Sequence, residues 1–441
     1  MSNDVENLSS PEKTKEANAE QHKSLFGSTL EQGERYELPP FVSDLDFDAF
    51  LFWGKTKNVS DFSFRSNDYI RGNVKGGWRR LTNRPITHDE LSSVINTIDT
   101  ATSTADLQKG HDIDRSYSPK EKNKPHRFRI NITHVKSPIN DDSGFNIIIR
   151  MLPGKPPTVK QLGIEKELVD NFYRKNSLSL ITGGTGHGKS TLIYSLLQNF
   201  VEIGKNVDIG LHILDYSKPI EYTINDIESE TFITQCEVGS MLKDFDNSTE
   251  SAQWQYAVRN AVRRKPDIIV IGETRDKPTF DAVLGSANTG HYGLSTLHTN
   301  SAASSLQRAL RFYSHEERLG VATDLIGFLH CIVNQELVSS ACGKMKYALR
   351  EFVIVNDYVR NTLLAEENVE KWPMLLHNMI MENSRKNPEE RKLICQSKLS
   401  HAEQRFTDGE ISQITLEDIR NRTRGMKTEL VEIGPQQYRD E

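Results

Sequence analysis

The sequence predicts an α/β protein: a parallel-sheet domain built around a glycine-rich loop, a smaller α+β domain before it, and a charged helical extension after it. Three observations carry that prediction. Residues 158–360 alternate helical patterns with short apolar runs, as a parallel sheet covered on both faces requires. One of those runs, 177–182, leads directly into a GxxxxGKS segment at 183–190 that opens a helical pattern. Leu152-Pro153-Gly154-Lys155-Pro156-Pro157 is stiff and turn-rich, the kind of stretch that separates domains.

Taken in order, residues 1–38 are rich in Glu, Lys, Ser, Asn and Gln without apolar periodicity, and are expected to form a disordered or loosely held arm. The α+β domain follows at 39–150. Phe41, Leu45, Phe47, Phe50, Leu51 and Phe52 give it bulk, and residues 60–65 alternate as a half-buried strand does. Residues 69–74 and 77–81 read as further strands around glycine turns. Thr87-x-x-Glu90 is a capping box opening a helix whose stripe is Leu91, Val94, Ile95 and Ile98. Residues 101–125 hold almost nothing to bury and are expected as a loop or hairpin excursion, before strands at 127–132 and 145–150. After the 151–157 hinge, strands are expected at 177–182, 211–215, 268–271 and 293–297 of the 158–360 domain. The extension at 361–441 is helix-prone, with a weak tail after Arg424, and its Leu363, Leu364, Trp372, Met374, Leu375 and Leu376 are expected to pack on the preceding domain or on a membrane platform protein.

Composition narrows the function. A chain of 441 residues with 36% hydrophobic residues can hold two or three domains and a sizeable core. Its net charge of −6 argues against nucleic-acid binding driven by overall charge. Cys236, Cys331, Cys342 and Cys395 form no CxxC pair and no metal spacing with histidine, which fits a reducing cytoplasm. With no long apolar run and no secretory start, the protein is expected to be soluble, with any membrane association peripheral.

The sharpest chemical feature is Gly183-Gly184-Thr185-Gly186-His187-Gly188-Lys189-Ser190-Thr191. Its glycines let backbone N–H groups turn inward around a phosphate, a conformation that side chains obstruct. Lys189 is expected to reach the β- and γ-phosphates of ATP and the Ser190 hydroxyl to bind Mg2+. Leu192, Ile193, Leu196, Leu197 and Phe200 mark one side of the following helix, whose N-terminus favours anions.

Downstream, Ile268-Ile269-Val270-Ile271-Gly272-Glu273 reads as a buried strand delivering a carboxylate at its C-terminal end, where open α/β sheets place ligand-facing residues. Such a carboxylate can orient an attacking water or hold Mg2+ through its waters. His298 ends another strand and is followed by hydroxyl residues, as in a γ-phosphate sensor.

The order GGTGHGKST, IIVIGETRD, TGHYGLSTLHTNSA resembles the secretion ATPase superfamily, the hexameric motors of type II and type IV secretion, of pilus extension and retraction, and of conjugation. The resemblance covers about residues 40–360, including Arg-Phe-Arg-Ile-Asn at 127–131, and is nearest to PilT-type retraction motors and DotB/TraJ-type ATPases of type IVB secretion and plasmid conjugation. It implies a RecA-like motor domain with a PAS-like N-terminal domain and a homo-hexamer. It also implies a place at the cytoplasmic face of the inner membrane, with inner-membrane components of a secretion apparatus as partners. Carried over by position, Glu273 is the catalytic glutamate and His298 the residue near the γ-phosphate. Arg127, Arg129 and Arg150 stand where the family's N-terminal domain offers arginines to the nucleotide, and Arg263, Arg264 and Arg275 are expected in solvated or interface salt bridges.

One departure matters. The family usually carries an acidic residue just before the Pro-Ile-Glu segment of its Asp box. Here Asp215-Tyr216-Ser217-Lys218-Pro219-Ile220-Glu221 has Ser217 at that point, so either Asp215 or Glu221 substitutes or turnover is slow. The expected function is an ATP-hydrolysing ring motor. Against it stand a nucleotide-gated assembly scaffold with weak hydrolysis and a P-loop ring translocase acting on DNA. The acidic balance and the shortness of the Arg263-Arg264-Lys265 cluster oppose the translocase, and no direct nucleic-acid contact is expected.

Overall fold

A Ser43 hydroxyl starts the first helix among the described residues, α1 (Asp44–Thr56): it accepts from the Asp46 N–H while the Asp46 carboxylate accepts from the Ser43 N–H. The computed structural model describes residues 33–74, 77–137, 143–224, 227–238, 250–343 and 345–432. The chain divides into two units, Met1–Gly154 and Lys155–Glu441.

In the first unit α1 is followed by β1 (Val59–Arg65), β2 (Asp68–Val74), β3 (Gly77–Ile86), α2 (His88–Ile98), α3 (Ser103–Gln108) and β4 (Ile113–Tyr117). A small hairpin, β5 (Lys120–Glu121) and β6 (Lys124–Pro125), then leads into β7 (Phe128–Lys136) and β8 (Ser143–Met151). Six strands pair antiparallel in the order β3-β2-β1-β8-β7-β4. Alternate residues Phe62, Phe64, Ile130, Ile132, Ile147 and Ile149 face one core shared with Phe47, Phe50 and Leu51 of α1 and Leu91, Val94 and Ile95 of α2. The capping box read at Thr87 and Glu90 is formed.

Two stretches differ from expectation. Residues 101–125 carry α3 and β4 as well as a hairpin; Leu107 is buried there, and β4 tolerates its polar residues because it is an edge strand. Of the expected arm, residues 1–32 lie outside the described residues, but Tyr36 donates its N–H to Leu81 O at 2.7 Å and Leu38 is buried.

The second unit begins with the short α4 (Lys166–Asp170), then β9 (Ser177–Thr182), α5 (Lys189–Ile203), β10 (His212–Ser217), β11 (Phe232–Glu237), α6 (Glu250–Val262), β12 (Ile268–Ile271), α7 (Lys277–Asn288) and β13 (Tyr292–Leu297). It continues through α8 (Ala302–Leu310), α9 (His315–Phe328), β14 (Leu329–Ser339) and β15 (Lys346–Ile354) to α10 (Asp357–Leu364), α11 (Trp372–Asn383), β16 (Cys395–Gln396), α12 (Lys398–Thr407) and α13 (Gln413–Glu432). The sheet order is β11-β10-β12-β13-β9-β14-β15-β16, parallel from β11 to β14 and antiparallel beyond.

Both faces are covered. Leu178, Leu180, Ile269 and Ile271 point into one core, Ile181, Ile268 and Val270 into another that holds Leu192, Ile193, Leu196 and Leu197 of α5. Each residue of β12 is at most 1% exposed, worth roughly 1.5–3 kcal/mol per side chain. The expected strands in this unit are present; β11, β14, β15 and β16 are additions. Nothing in the sequence separates β14 from α9, because Leu329 follows Phe328 with no turn residue between them. Leu363, Trp372 and Leu376 join the core of the sheet, Met374 and Leu375 are half-buried, and Leu364 is exposed. The weak tail expected after Arg424 continues as α13 to Glu432, and 433–441 lie outside the described residues.

Glu90 ties the first unit together. Its carboxylate, 2% exposed, accepts from Val42 N–H (2.8 Å), Thr87 N–H (2.7 Å) and the Arg84 guanidinium (2.6 and 3.1 Å). Burial alone would raise its pKa, but Arg84 and the backbone donors outweigh that and hold it at about 2, against 4.5 ordinarily. A carboxylate whose pKa is depressed by folding stabilises fully above its unfolded value, and the contribution is lost as pH falls toward 2. Glu90→Gln is therefore expected to destabilise the first unit by about 3 kcal/mol at pH 7. In urea melts the gap to wild type should narrow markedly by pH 3.

Candidate functional site

The loop at 183–188 leaves β9 and enters α5 through three residues in the left-handed half of backbone space: Gly183 (φ 148°), Gly186 (φ 76°) and Gly188 (φ 75°). Gly188 caps α5, so the N–H groups of the first turn lie at the loop. Lys189, 9% exposed, folds back and donates to Gly183 O (2.8 Å) and Gly184 O (3.0 Å). Burial lowers its pKa, opposed by the negative charges of Glu273 and Glu221. Thr185 and Gly186 are exposed, while Gly184, His187, Ser190 and Thr191 are half-buried. Thr191 Oγ1 lies 3.0 Å from the Tyr222 hydroxyl.

The ends of β12 and β13 bring the expected acid and histidine together. Thr274 N–H donates to Thr296 O (3.0 Å), Thr296 Oγ1 to Gly272 O (2.7 Å), and the Thr274 and Ser295 hydroxyls share a 2.8 Å hydrogen bond. That stitching sets Glu273 Oε1 2.8 Å from His298 Nε2, while Glu273 Oε2 accepts from Arg275 at 2.8 Å. On the other side of the ring, His298 Nδ1 is 3.5 Å from Lys189 Nζ. A proton on Nε2 facing Glu273 and a lone pair on Nδ1 facing Lys189 is the ring tautomer that satisfies both neighbours. Lys189, His298, Glu273 and Arg275 thus form one line across the C-terminal edge of the parallel sheet. Burial by itself would raise the Glu273 carboxyl, but the hydrogen bond and charge of Arg275, with His298, hold it below the ordinary glutamate value.

Asp215 lies under this edge rather than on it. Its fully buried carboxylate accepts from Ser217 Oγ (2.6 Å), Tyr194 OH (2.8 Å) and Gln235 Nε2 (2.9 Å). Burial raises its pKa against those three donors. Ser217, the departure in the Asp box, is therefore a donor to Asp215. Glu221 follows the cis Lys218–Pro219 peptide and is close enough for its charge to act on Lys189.

The first unit's arginines are held by its own sheet. Arg129 of β7 makes a two-pronged pair with Asp114 (2.9 and 2.6 Å), and Arg150 of β8 pairs with Asp61 at 2.7 Å. Arg129 and Arg150 are opposite one another in the β7–β8 register, and Arg127 immediately precedes β7. Among the described residues no three His, Cys, Asp or Glu converge as a metal site, and no helix is long and apolar enough to cross a membrane.

Several participants were not singled out in the sequence. Tyr194 has the spacing of a helix core residue, and Gln235 sits on an unforeseen strand. Asn334 Nδ2 donates to Thr182 Oγ1 (3.0 Å) and Thr299 O (2.9 Å), joining the residue before the loop to the residue after His298. Only Arg275, two residues from Glu273 and read as a salt-bridge residue, carried a local signal.

A family described as type II/IV secretion system protein matches residues 93–430. The type IV pilus retractation ATPase PilT of Pseudomonas aeruginosa is 28% identical over 325 residues, 74% of this chain and 87% of that protein. The X-ray structure of the Legionella pneumophila ATPase DotB superposes with a TM-score of 0.74 at 27% identity, covering 90% of this chain and 100% of that one. A crystal structure of the pilus retraction motor PilT with bound ADP gives a TM-score of 0.67 at 24% identity over 86% of this chain and 97% of that one, which is likeness of fold. The parallel sheet with its loop and flanking helices is accordingly a RecA-like ATPase fold.

Proposed function

The chain belongs to the type II/IV secretion system protein family, and on that premise we propose that it is a PilT-like, ATP-hydrolysing motor for a type IV secretion, conjugation or pilus machine. The observation that supports this most is the line Lys189–His298–Glu273 beside the glycine loop, which puts a cation, an imidazole and a carboxylate at one sheet edge. N–H groups of the 183–190 loop and Lys189 bind the triphosphate. The open, exposed Gly186 and the first-turn Ser190 hydroxyl suit a phosphate-bound Mg2+, which when bound neutralises charge on the phosphates. Glu273, kept ionised by Arg275, accepts a hydrogen bond from the attacking water and orients it. His298 Nε2–H steadies the same carboxylate and reports a change at the γ-phosphate to it.

The DotB-like likeness favours a IVB-type system, a homo-hexameric ring and a peripheral position at the cytoplasmic face of the inner membrane, with inner-membrane components as partners. The first unit, proposed as PAS-like, supplies Arg127, Arg129 and Arg150 as candidate phosphate-reaching groups. The proposed domain limits are 39–150, a hinge at 151–157, 158–360 and an extension at 361–441. A second reading, a nucleotide-gated scaffold with weak hydrolysis, draws on Asp215, whose carboxylate is already engaged by three side chains. On the motor reading Glu221 takes the Asp-box role and Asp215 positions the strand.

Mg2+-dependent ATP turnover on size-fractionated protein separates the two. Wild type in a ring-sized fraction should hydrolyse ATP, and Lys189→Ala and Glu273→Gln should each lose at least about 100-fold. A wild type that forms rings and binds ATP, yet turns over no faster than Glu273→Gln, is a scaffold. A pH profile probes the Arg275 contact. Arg275 lowers the Glu273 pKa and the ionised form is the active one, so Arg275→Ala should move the acid limb of kcat to higher pH; an unmoved limb removes Arg275 from the mechanism.

A further inference from the structure

Behind the phosphate-binding loop runs a buried chain of polar groups that the hydrolytic chemistry does not use. Gln335 of β14 is 4% exposed, and its amide Nε2 donates to two loop carbonyls, His187 O (2.8 Å) and Gly188 O (3.0 Å). Its Oε1 accepts from Arg350 Nε at 2.9 Å. Arg350, directly opposite Gln335 in the β14–β15 register, is 1% exposed. Its remaining donors go to Gly163 O (3.0 Å), Leu162 O (3.0 Å) and the Glu165 carboxylate (3.2 and 3.4 Å). Glu165 also accepts from Gln396 Nε2 at 3.1 Å.

The geometry of a trans peptide gives this chain a consequence at the site. The carbonyl of one residue and the N–H of the next point in opposite directions. Holding the His187 and Gly188 carbonyls back against Gln335 therefore turns the N–H groups of Gly188 and Lys189 the other way, toward the phosphate side of the loop. The amide cannot rotate to satisfy the carbonyls differently, because Arg350 accepts no hydrogen bond and so fixes which end of the amide is oxygen. Close approach is built in as well: a Cβ on Gly183 would collide with the Gln335 carbonyl, and one on Gly188 would lie 3.0 Å from Gln335 Nε2.

We propose that Gln335 and Arg350 are positioning residues that tie the shape of the phosphate-binding loop to the Leu162–Glu165 segment, so that a shift of that segment changes affinity for nucleotide. The segment comes shortly after the Pro- and Gly-rich connector that joins the two units. Arg350 carries the coupling because its planar fork spans three acceptors on the segment and one on Gln335. The proposal rests on the nucleotide-binding reading above and adds a regulatory input to the same site.

The test is fluorescence titration of the full-length protein with a methylanthraniloyl derivative of ADP in Mg2+, beside ATP kinetics and a thermal melt without nucleotide. Gln335→Glu keeps size and the acceptor for Arg350 but has no N–H for the loop, and Glu165→Gln touches only the far end. Gln335→Glu should weaken binding about tenfold and raise KM similarly, with kcat within about threefold, since a ground-state cradle has been loosened. Glu165→Gln should weaken binding about threefold and lower the melt while the protein stays folded at assay temperature, since it removes the carboxylate facing the buried Arg350. If either folded variant binds the probe as wild type does, the relay is overturned; if Gln335→Glu does not fold, Glu165→Gln decides. A wild type that does not bind the probe overturns the nucleotide reading and the relay with it, whereas binding by wild type and both variants alike overturns the relay alone.

Discussion

The parallel pairing of β9 with a strand on each side is the constraint on which the rest of the site depends. Thr182, the last residue of β9, lies opposite Leu297 of β13 and opposite Asn334 of β14. That register brings the glycine loop, His298 and the Asn334-Gln335-Glu336 stretch out at one edge of the sheet, although more than a hundred residues separate the loop from each of the others. A slip of one residue would turn Leu180 and Ile181 to the wrong faces and break two cores together. The same apolar packing that stabilises the sheet therefore sets the spacing of the polar groups at its end.

Polar groups at that edge are expensive to bury, and the structure offsets most of the cost with short networks of hydrogen bonds, leaving Asn334 Oδ1 unpartnered. Thr182, Thr299, Ser305 and Asn334 bond to one another beside the loop, and Thr274, Ser295 and Thr296 do so beneath Glu273. Asp215 is satisfied by Tyr194, Ser217 and Gln235 in the same way. Lys398 extends the pattern from α12, donating to Asn300 O (2.8 Å) and to Glu336 (3.1 Å). α12 is thus fastened to the segment after His298. The charges of Lys189 and Glu273 stand out against these neutral hydroxyl networks, which is where a charged substrate gains most from fixed dipoles.

How much was legible in the sequence depended on how local each signal was. The glycine loop, the Thr87–Glu90 capping box and the buried run Ile268–Ile271 each show their physics within a few residues, through turn geometry, an orphan N–H or uniform burial. Arg350 shows nothing of the kind: an arginine in a strand reads as surface charge, yet this one is nearly inaccessible because four acceptors from Gln335, Leu162, Gly163 and Glu165 surround it. Ser217 likewise reads as a missing acid until Asp215 is found beneath it.

The sequence by itself showed the α/β class, the glycine loop and the acid and histidine at the ends of two buried strands, because backbone conformation and strand burial are written in adjacent residues. Tertiary structure decided which side chains hold those groups: His298 on Glu273, Tyr194 on Asp215, Gln335 on the loop. Those choices are hydrogen bonds between strands and helices distant in the chain, and only sheet order and register bring a donor within about 3 Å of its acceptor.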